Sequence, residues 1–455
     1  MMKKNVIFLG LLLFLSTPAF AQRQWTLDEC MDYAIAHNTE MKMLQNEQKR
    51  REIKAQASKD ARLPQFSGDM GGTVAMLRST NGNRFDANEM LLNIGLTGYL
   101  PLYTGNRLSS QIKADQYALK AVAEDVRSAE KSVKAQVAAA FLQLLYYKGE
   151  ASIARQQQEV SQLLEKRARS LFDKGKRPES DVVETEAMVS RDMALLAAAE
   201  GDIALAKLEL KLLLNLPDTV DFDISEPNDS LEQIPLLQSH DVYTATSVSH
   251  PKTLSANYSI QQAEQEVKTA RSYYRPTLSL VGGFGTFWNN MDIKADLEGQ
   301  MHLQSPQGLA RKVNYQLALE SDWKRRNFIQ GAIGLKLSIP IFNAFETRAR
   351  IRTAKVNLEN AKLAYYDTQQ KIRKDIRQAW QGALTAHKRY EAEVKAEESW
   401  ALAYRYALKR YDAGMATIFD LSQSRQQWFT ASENALRMKY EYLMKKRILH
   451  ILAYE

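Results

Sequence analysis

The chain carries one cysteine, Cys30, in 455 residues, so no internal disulfide can brace it and packing or assembly must hold it. Long apolar runs are scarce too. The clearest spans residues 6–15, short of the about 20 residues that a membrane-spanning helix needs. From residue 107 to 171 there is no proline and only one glycine, Gly149, so a continuous helix meets neither of its usual breakers there. The six histidines (His37, His240, His250, His302, His387, His450) show no metal-ligand spacing. No nucleophile elbow, P-loop or dinucleotide fingerprint occurs, and Gly282-Gly283-Phe284-Gly285 falls in a strand with no helix after it. An enzyme is therefore not expected, and neither a cofactor nor a bound metal. The 15 methionines read as ordinary apolar filler. The formal net charge of +8 comes from both signs interleaved through helical segments, a pattern of solvated helix faces. No basic face with interleaved aromatics stands out, so no nucleic-acid partner is expected.

What is present begins at the N-terminus. Lys3 and Lys4 precede the apolar run, and Ala19-Phe20-Ala21 places small residues where a signal peptidase cuts. Residues 1–21 read as a secretory signal peptide, with Gln22 opening the mature chain and a net charge of +6 remaining after cleavage. Leu27-Asp28-Glu29 before Cys30 lacks the small residues of a lipid-attachment site, which leaves Cys30 as a helix core residue.

The chain also contains one pattern twice. Shifted by 239 residues, the stretch from 94 to 210 keeps step without a gap: Ile94-Gly95-Leu96 meets Ile333-Gly334-Leu335, and Pro101 meets Pro340. A seven-residue row, Ile112, Leu119, Val126, Val133 and Ala140, returns as Ile351, Leu358, Tyr365, Ile372 and Ala379. A second row, Val182, Val189, Leu196, Ile203 and Leu210, returns as Leu421, Trp428, Ala435, Tyr442 and Leu449. Seven-residue rows are those of coiled-coil packing. The unit repeated is strand, long helix, turn, long helix. The first copy covers 22–216 with a turn at 173–180, the second 250–455 with a turn at 412–419, and a proline-bearing linker, 217–249, lies between. The stretch from Trp25 to Arg62 reads as one further helix, opened by Thr26-Leu27-Asp28-Glu29 and ended by Pro64.

Four segments alternate in period two: about 65–77, 91–104, 277–288 and 328–342. The last is the clearest, with Ile329, Gly331, Ile333, Leu335, Leu337, Ile339 and Ile341 against Gln330, Ala332, Gly334, Lys336, Ser338 and Pro340. A soluble sheet packed on helices gives the same alternation, and a periplasmic coiled-coil scaffold or adaptor is the alternative it represents. The signal peptide, the strand length and the shortage of any other sheet favour an outer-membrane barrel. Four strands cannot close a barrel, and an open edge in lipid leaves backbone groups unpaired at several kcal/mol each. Several copies must therefore share one barrel: two give eight strands and three give twelve.

Together the signal peptide, Trp25-Thr26-Leu27-Asp28-Glu29-Cys30 opening a helix, two strand pairs, and the twin turns Phe172-x-x-Gly175 with Asp181 and Tyr411-x-x-Gly414 with Asp420 resemble the TolC-like outer-membrane efflux proteins. The resemblance covers essentially the whole mature chain. It implies a mainly α fold with a transmembrane β-barrel portion: a homotrimer with a 12-stranded barrel and a long α-helical coiled-coil barrel in the periplasm. It implies the exit duct of a tripartite efflux pump or type I secretion system, partnered by a periplasmic adaptor, an inner-membrane transporter and outer-membrane lipid. By position it assigns adaptor contact to Phe172, Gly175, Tyr411 and Gly414. A periplasmic gate falls on Asp181, Glu184 and Asp420, with Arg177 as a latch to a neighbour. The family's second-repeat basic position is Ala416 here, and its second acid is Gln423. Helix capping is the plainer role for Asp181 and Asp420.

Overall fold

The computed structural model describes residues 24–78, 85–217, 219–225, 249–290 and 327–453. The signal-peptide reading, most of the linker and most of the long 289–327 connection fall outside them. Among the described residues are seven helices and six strands. In chain order these are β1 (Gln24–Trp25), α1 (Leu27–His37), α2 (Thr39–Asp60), β2 (Gln65–Arg78), β3 (Phe85–Tyr103), α3 (Arg107–Asp173) and α4 (Glu179–Leu214). Then come β4 (Asp223–Ile224), α5 (Pro251–Ser272), β5 (Thr277–Asn290), β6 (Asn327–Ser338), α6 (Glu346–Asp412) and α7 (Ile418–Ala453). None of the described helices is long and apolar enough to cross a membrane. The residues form two compact units, one drawn from 53–117 and 261–359, the other from the rest.

The first unit holds a four-stranded antiparallel sheet in the order β2-β3-β5-β6. Register partners share a face. Phe66–Gly98–Gly282–Ile333, Gly68–Leu96–Phe284–Gly331 and Met70–Ile94–Thr286–Ile329 therefore form cross-sheet rows on one side. Ser67–Thr97–Gly283–Ala332 and Asp69–Gly95–Gly285–Gln330 run along the other. The apolar face is bare: Met70 is 77% exposed and Ile333 79%. Its aromatic rings lie against glycines, so a Cβ at Gly98 would come within 3.2 Å of the Phe66 ring. On the polar face the Ser67 and Thr97 hydroxyls bond at 2.7 Å.

Two details differ from the alternation read in sequence. A bulge between Pro101 and Tyr103 drops Leu102 from the pairing and sets Tyr103 opposite Leu278, on the apolar side. β6 ends at Ser338, because β5 begins at Thr277 directly opposite and offers Ile339 nothing to pair with. At the corner after β3, Gly105 and Asn106 both take positive φ (63° and 70°), and Ala344 and Phe345 do the same before α6 (49° and 63°). Gly105 has a further constraint, since a Cβ there would sit 2.6 Å from the Arg275 Cβ.

Apart from the short β1–β4 pair the second unit is helical, and it holds most of α3 and α6. α3 and α6 are each 67 residues long, α4 and α7 each 36. Of the twenty residues in the four seven-residue rows, none is exposed, so the rows mark the packed seams. The Trp25–Arg62 helix is in fact two helices. Asn38 breaks it with ψ 135° and then caps α2, its side-chain oxygen accepting from the N–H of Glu40 at 2.8 Å. Trp25 lies outside the helix, in β1, which pairs in parallel with β4. Thr26 and Glu29 form a reciprocal capping box that starts α1. Cys30 is fully buried in the main helical core beside Met31, Val137, Phe141 and Leu210, and burial pushes its thiol pKa up to about 12.

Candidate functional site

The two helix turns have the same construction. At the end of α3 the N–H of Gly175 bonds the carbonyl of Phe172 at 2.7 Å, and that of Lys176 the carbonyl of Leu171 at 2.9 Å. After α6, Gly414 bonds Tyr411 at 3.0 Å and Met415 bonds Arg410 at 2.8 Å. Each is a Schellman cap, which requires a left-handed residue. Gly175 (φ 67°) and Gly414 (φ 74°) supply it, and neither has any atom near where a Cβ would stand. Backbone conformation alone selects glycine at both.

Three of the sequence-assigned residues meet. Arg177, on the first turn, lays its guanidinium over the Tyr411 ring, 4.5 Å from the centroid. The same group donates to the carbonyls of Tyr411 (2.9 Å) and Ala416 (3.2 Å). It thus closes the C-terminal end of α6 within one chain. Ala416 is Arg177's counterpart in the second copy; it contributes a carbonyl where the family's side chain is missing. The Tyr411 hydroxyl points to the Asp181 carboxylate at 3.4 Å. Burial, then the Asp181 charge beside it, raises the Tyr411 phenol above its usual range.

The other assigned residues lie apart from this contact. Tyr411 is only 2% exposed and lies inside, between the turns. Asp181 is buried as well, in the first turn of α4, and does not cap it: Pro178 occupies the cap position. Asp420 is exposed and forms a capping box with Thr417, accepting from its N–H at 3.0 Å and its hydroxyl at 2.8 Å. Those bonds, the backbone one foremost, hold its carboxyl below the ordinary range. Glu184 is half-buried, Phe172 exposed.

Further along the helices lies a group that the sequence reading missed. Arg425 of α7 donates to Asp192 of α4 at 2.7 Å, with both side chains almost fully buried. Gln157 of α3 donates to the other Asp192 oxygen at 2.9 Å, and its carbonyl accepts from Arg425 at 3.2 Å. Three helices are tied by one charged cluster, next to a small core of Leu164, Tyr404, Ala407 and Leu421. A signal did exist in the sequence. Asp192 interrupts the buried row Thr185, Ala199, Ala206, and Arg425 interrupts Ile418 and Ser432. A charge inside a seven-residue row of small residues calls for a partner on a facing helix.

The comparisons fit this architecture. The model of the outer membrane efflux protein family matches residues 31–216 and 243–450. BepC, an outer membrane efflux protein of Brucella suis biovar 1, is 23% identical over 369 residues, covering 80% of this chain and 71% of BepC. AprF, the alkaline protease secretion protein of Pseudomonas aeruginosa, is 24% identical over 330 residues, covering 70% of this chain and 61% of AprF. A crystal structure of CusC superposes with a TM-score of 0.76 at 17% identity, over 95% of this chain and 92% of CusC. The chain belongs to the outer membrane efflux protein family, whose members are outer-membrane channels with a helical portion in the periplasm.

Proposed function

We propose that this chain is the exit duct of a tripartite efflux pump or type I secretion system, a passive channel opened at its periplasmic end by an adaptor and an inner-membrane transporter. Three copies contribute twelve strands to one barrel. The observation that carries the reading is a sheet with a bare apolar face and two edges, β2 and β6, that are unpaired among the described residues. In lipid such edges must be closed by another chain. An internal duplication underlies the protomer, supported by helix pairs of equal length whose starts, Arg107 and Glu346, Glu179 and Ile418, stand at the same spacing. Names of relatives speak for both branches, alkaline protease secretion for AprF and cation efflux for CusC.

The mouth lies at the helix turns in this reading. Arg177, Asp181 and Tyr411 hold the two hairpins of a chain together, while Glu184 and Asp420 supply negative charge to the constriction. Phe172, Gly175 and Gly414 form the surface an adaptor meets. Carboxylates at a narrow mouth favour cations over anions. An adaptor that competes for the Arg177 contacts shifts a closed-to-open equilibrium by its preference for the open state.

Planar-bilayer conductance of the detergent-purified protein tests this. Wild type gives a small, cation-selective conductance; Arg177→Ala enlarges it, and Glu184→Ala with Asp420→Ala weakens the cation selectivity. A protein that stays in solution without detergent, or an inserted oligomer that conducts in no variant, overturns the reading.

A further inference from the structure

Positive charge collects where the sheet meets the helices. Residues 58–64, 104–110, 270–276 and 343–350 flank the strand ends and together hold seven cations against two carboxylates, Asp60 and Glu346. That excess of five is most of the chain's formal +8. All four segments belong to the sheet-bearing unit. Glu346 is taken by Arg350 at 2.5 Å. Lys59, Arg271 and Arg348 are exposed, and among the described residues no side-chain partner meets them.

Helix electrostatics account for only part of this. Lys59 and Arg271 stand in the last turns of α2 and α5, where the helix dipole favours a cation. Arg107 and Arg348 stand in the first turns of α3 and α6, where the same dipole opposes one, and the first turn of α3 has no acid to compensate. These arginines are placed against local preference.

Aromatic side chains lie among them. Tyr273 has the Arg107 guanidinium 5.8 Å and the Arg350 guanidinium 4.9 Å from its ring centroid. Tyr103 ends the apolar face here, through its register with Leu278 and, beyond it, Leu337, and it is exposed. Apolar rows, then an exposed tyrosine, then unpaired cations is the order of a surface that passes from acyl chains into headgroups.

We infer that these four corners form a collar that binds the anionic headgroups of phospholipids in the periplasmic leaflet of the outer membrane. The inference rests on the membrane-barrel reading above. Two arguments commit it to this occupant. The charge is predominantly positive, and Lys59, Arg271 and Arg348 have no side-chain partner among the described residues. It is also continuous with the lipid-facing rows: Arg275 precedes Leu278 by three residues, about 10 Å of extended chain, the scale of the step from hydrocarbon to phosphate. The helices lie on the periplasmic side, so corners where strands become helices lie at that leaflet.

Reconstituted full-length mature protein, in nanodiscs holding equal phosphatidylglycerol and phosphatidylcholine, provides the test. The lipids retained after detergent extraction are counted by mass spectrometry. Wild type should retain phosphatidylglycerol over phosphatidylcholine by roughly fivefold or more, the equivalent of about 1 kcal/mol for even one cation at the surface. The ratio should fall toward one at high salt. Lys59→Gln, Arg271→Gln and Arg348→Gln combined should bring it near one at low salt. Arg127→Gln, Arg155→Gln and Arg389→Gln, which remove equal charge from the helical unit, should leave it high.

A wild-type ratio near one overturns the collar, and so does a ratio unchanged in the corner variant. Equal loss in the control variant overturns it too, by showing net charge alone at work. Dissociation of the corner variant into single chains overturns it in favour of ion pairs with a neighbouring copy. Failure to enter nanodiscs at all is a different result, because it removes the barrel reading itself.

Discussion

At the scale of single residues, the Arg425–Asp192 pair decides how firmly the hairpins are joined. Both side chains are almost out of water, so the pair draws little net stability from its attraction, but breaking it leaves one charge buried alone. Arg425→Met should therefore cost about 3–5 kcal/mol, far more than an exposed ion pair such as Lys371–Asp367 contributes. Adding Asp192→Leu should restore most of the loss, because the second change removes the stranded carboxylate. Denaturant midpoints of the four proteins in a double-mutant cycle check this. Simple addition of the two single losses would show that the residues do not act as a pair.

At the scale of elements, the start of α5 depends on a buried histidine. His250 holds the first turn, its carbonyl accepting from Thr253 at 2.9 Å and its ring nitrogen Nδ1 accepting from the Lys252 N–H at 3.2 Å. Burial, with Lys131 and Lys252 nearby and Asp375 only partly opposing them, brings its pKa down from 6.5 to about 4. The folded chain thus binds fewer protons than the unfolded one in this range. Stability is full above pH about 6.5 and falls as pH drops toward 4, by about 3 kcal/mol from this one group. His250→Asn keeps a capping acceptor without a titrating ring. Its unfolding midpoint should decline less than wild type between pH 7 and 4; parallel declines would place the acid sensitivity elsewhere.

The elements also show what a sequence discloses. Long helices, their turns and the sheet were legible, because period and punctuation are written in consecutive residues: no proline across α3, glycine at the Schellman position, apolar residues at every second place in β6. The break at Asn38 was less so: Asn favours caps, but it is tolerated inside helices, so one Asn in a long helical run does not by itself mark a break. Positive φ at Ala344 and Phe345 was not legible at all. Their counterparts Gly105 and Asn106 announce that conformation, whereas alanine and phenylalanine hold it only because the corner around them is fixed. At the candidate site the residues were singled out from local motifs, but the contact that joins three of them was not legible. Asp181, Arg177 and Tyr411 come together through a contact 230 residues apart in the chain, and such a distance carries no local pattern.

At the scale of the whole molecule, everything turns on which face of the sheet meets lipid. Neighbouring residues of β6 separate the two faces by a single position: Ile333 shares the row of Phe66, Gly98 and Gly282, while Ala332 shares the row of Ser67, Thr97 and Gly283. A lysine at Ile333 would lie among acyl chains, at a cost of about 2–4 kcal/mol near the bilayer midplane. One at Ala332 would join Lys336 on the polar side, which in the proposed barrel faces the water-filled interior, and would add to the charge of the pore. Ile333→Lys should therefore lower the yield of heat-modifiable oligomer in outer-membrane fractions and weaken folding into vesicles. Ala332→Lys should assemble like wild type and shift conductance toward anions. The pair separates a membrane barrel from a soluble sheet packed on helices, because a soluble protein would gain solubility from Ile333→Lys and lose nothing at assembly. Equal tolerance of both substitutions in assembled, membrane-extracted protein would mean that the apolar rows face something other than lipid, and the count of three chains around one barrel would lose its physical reason.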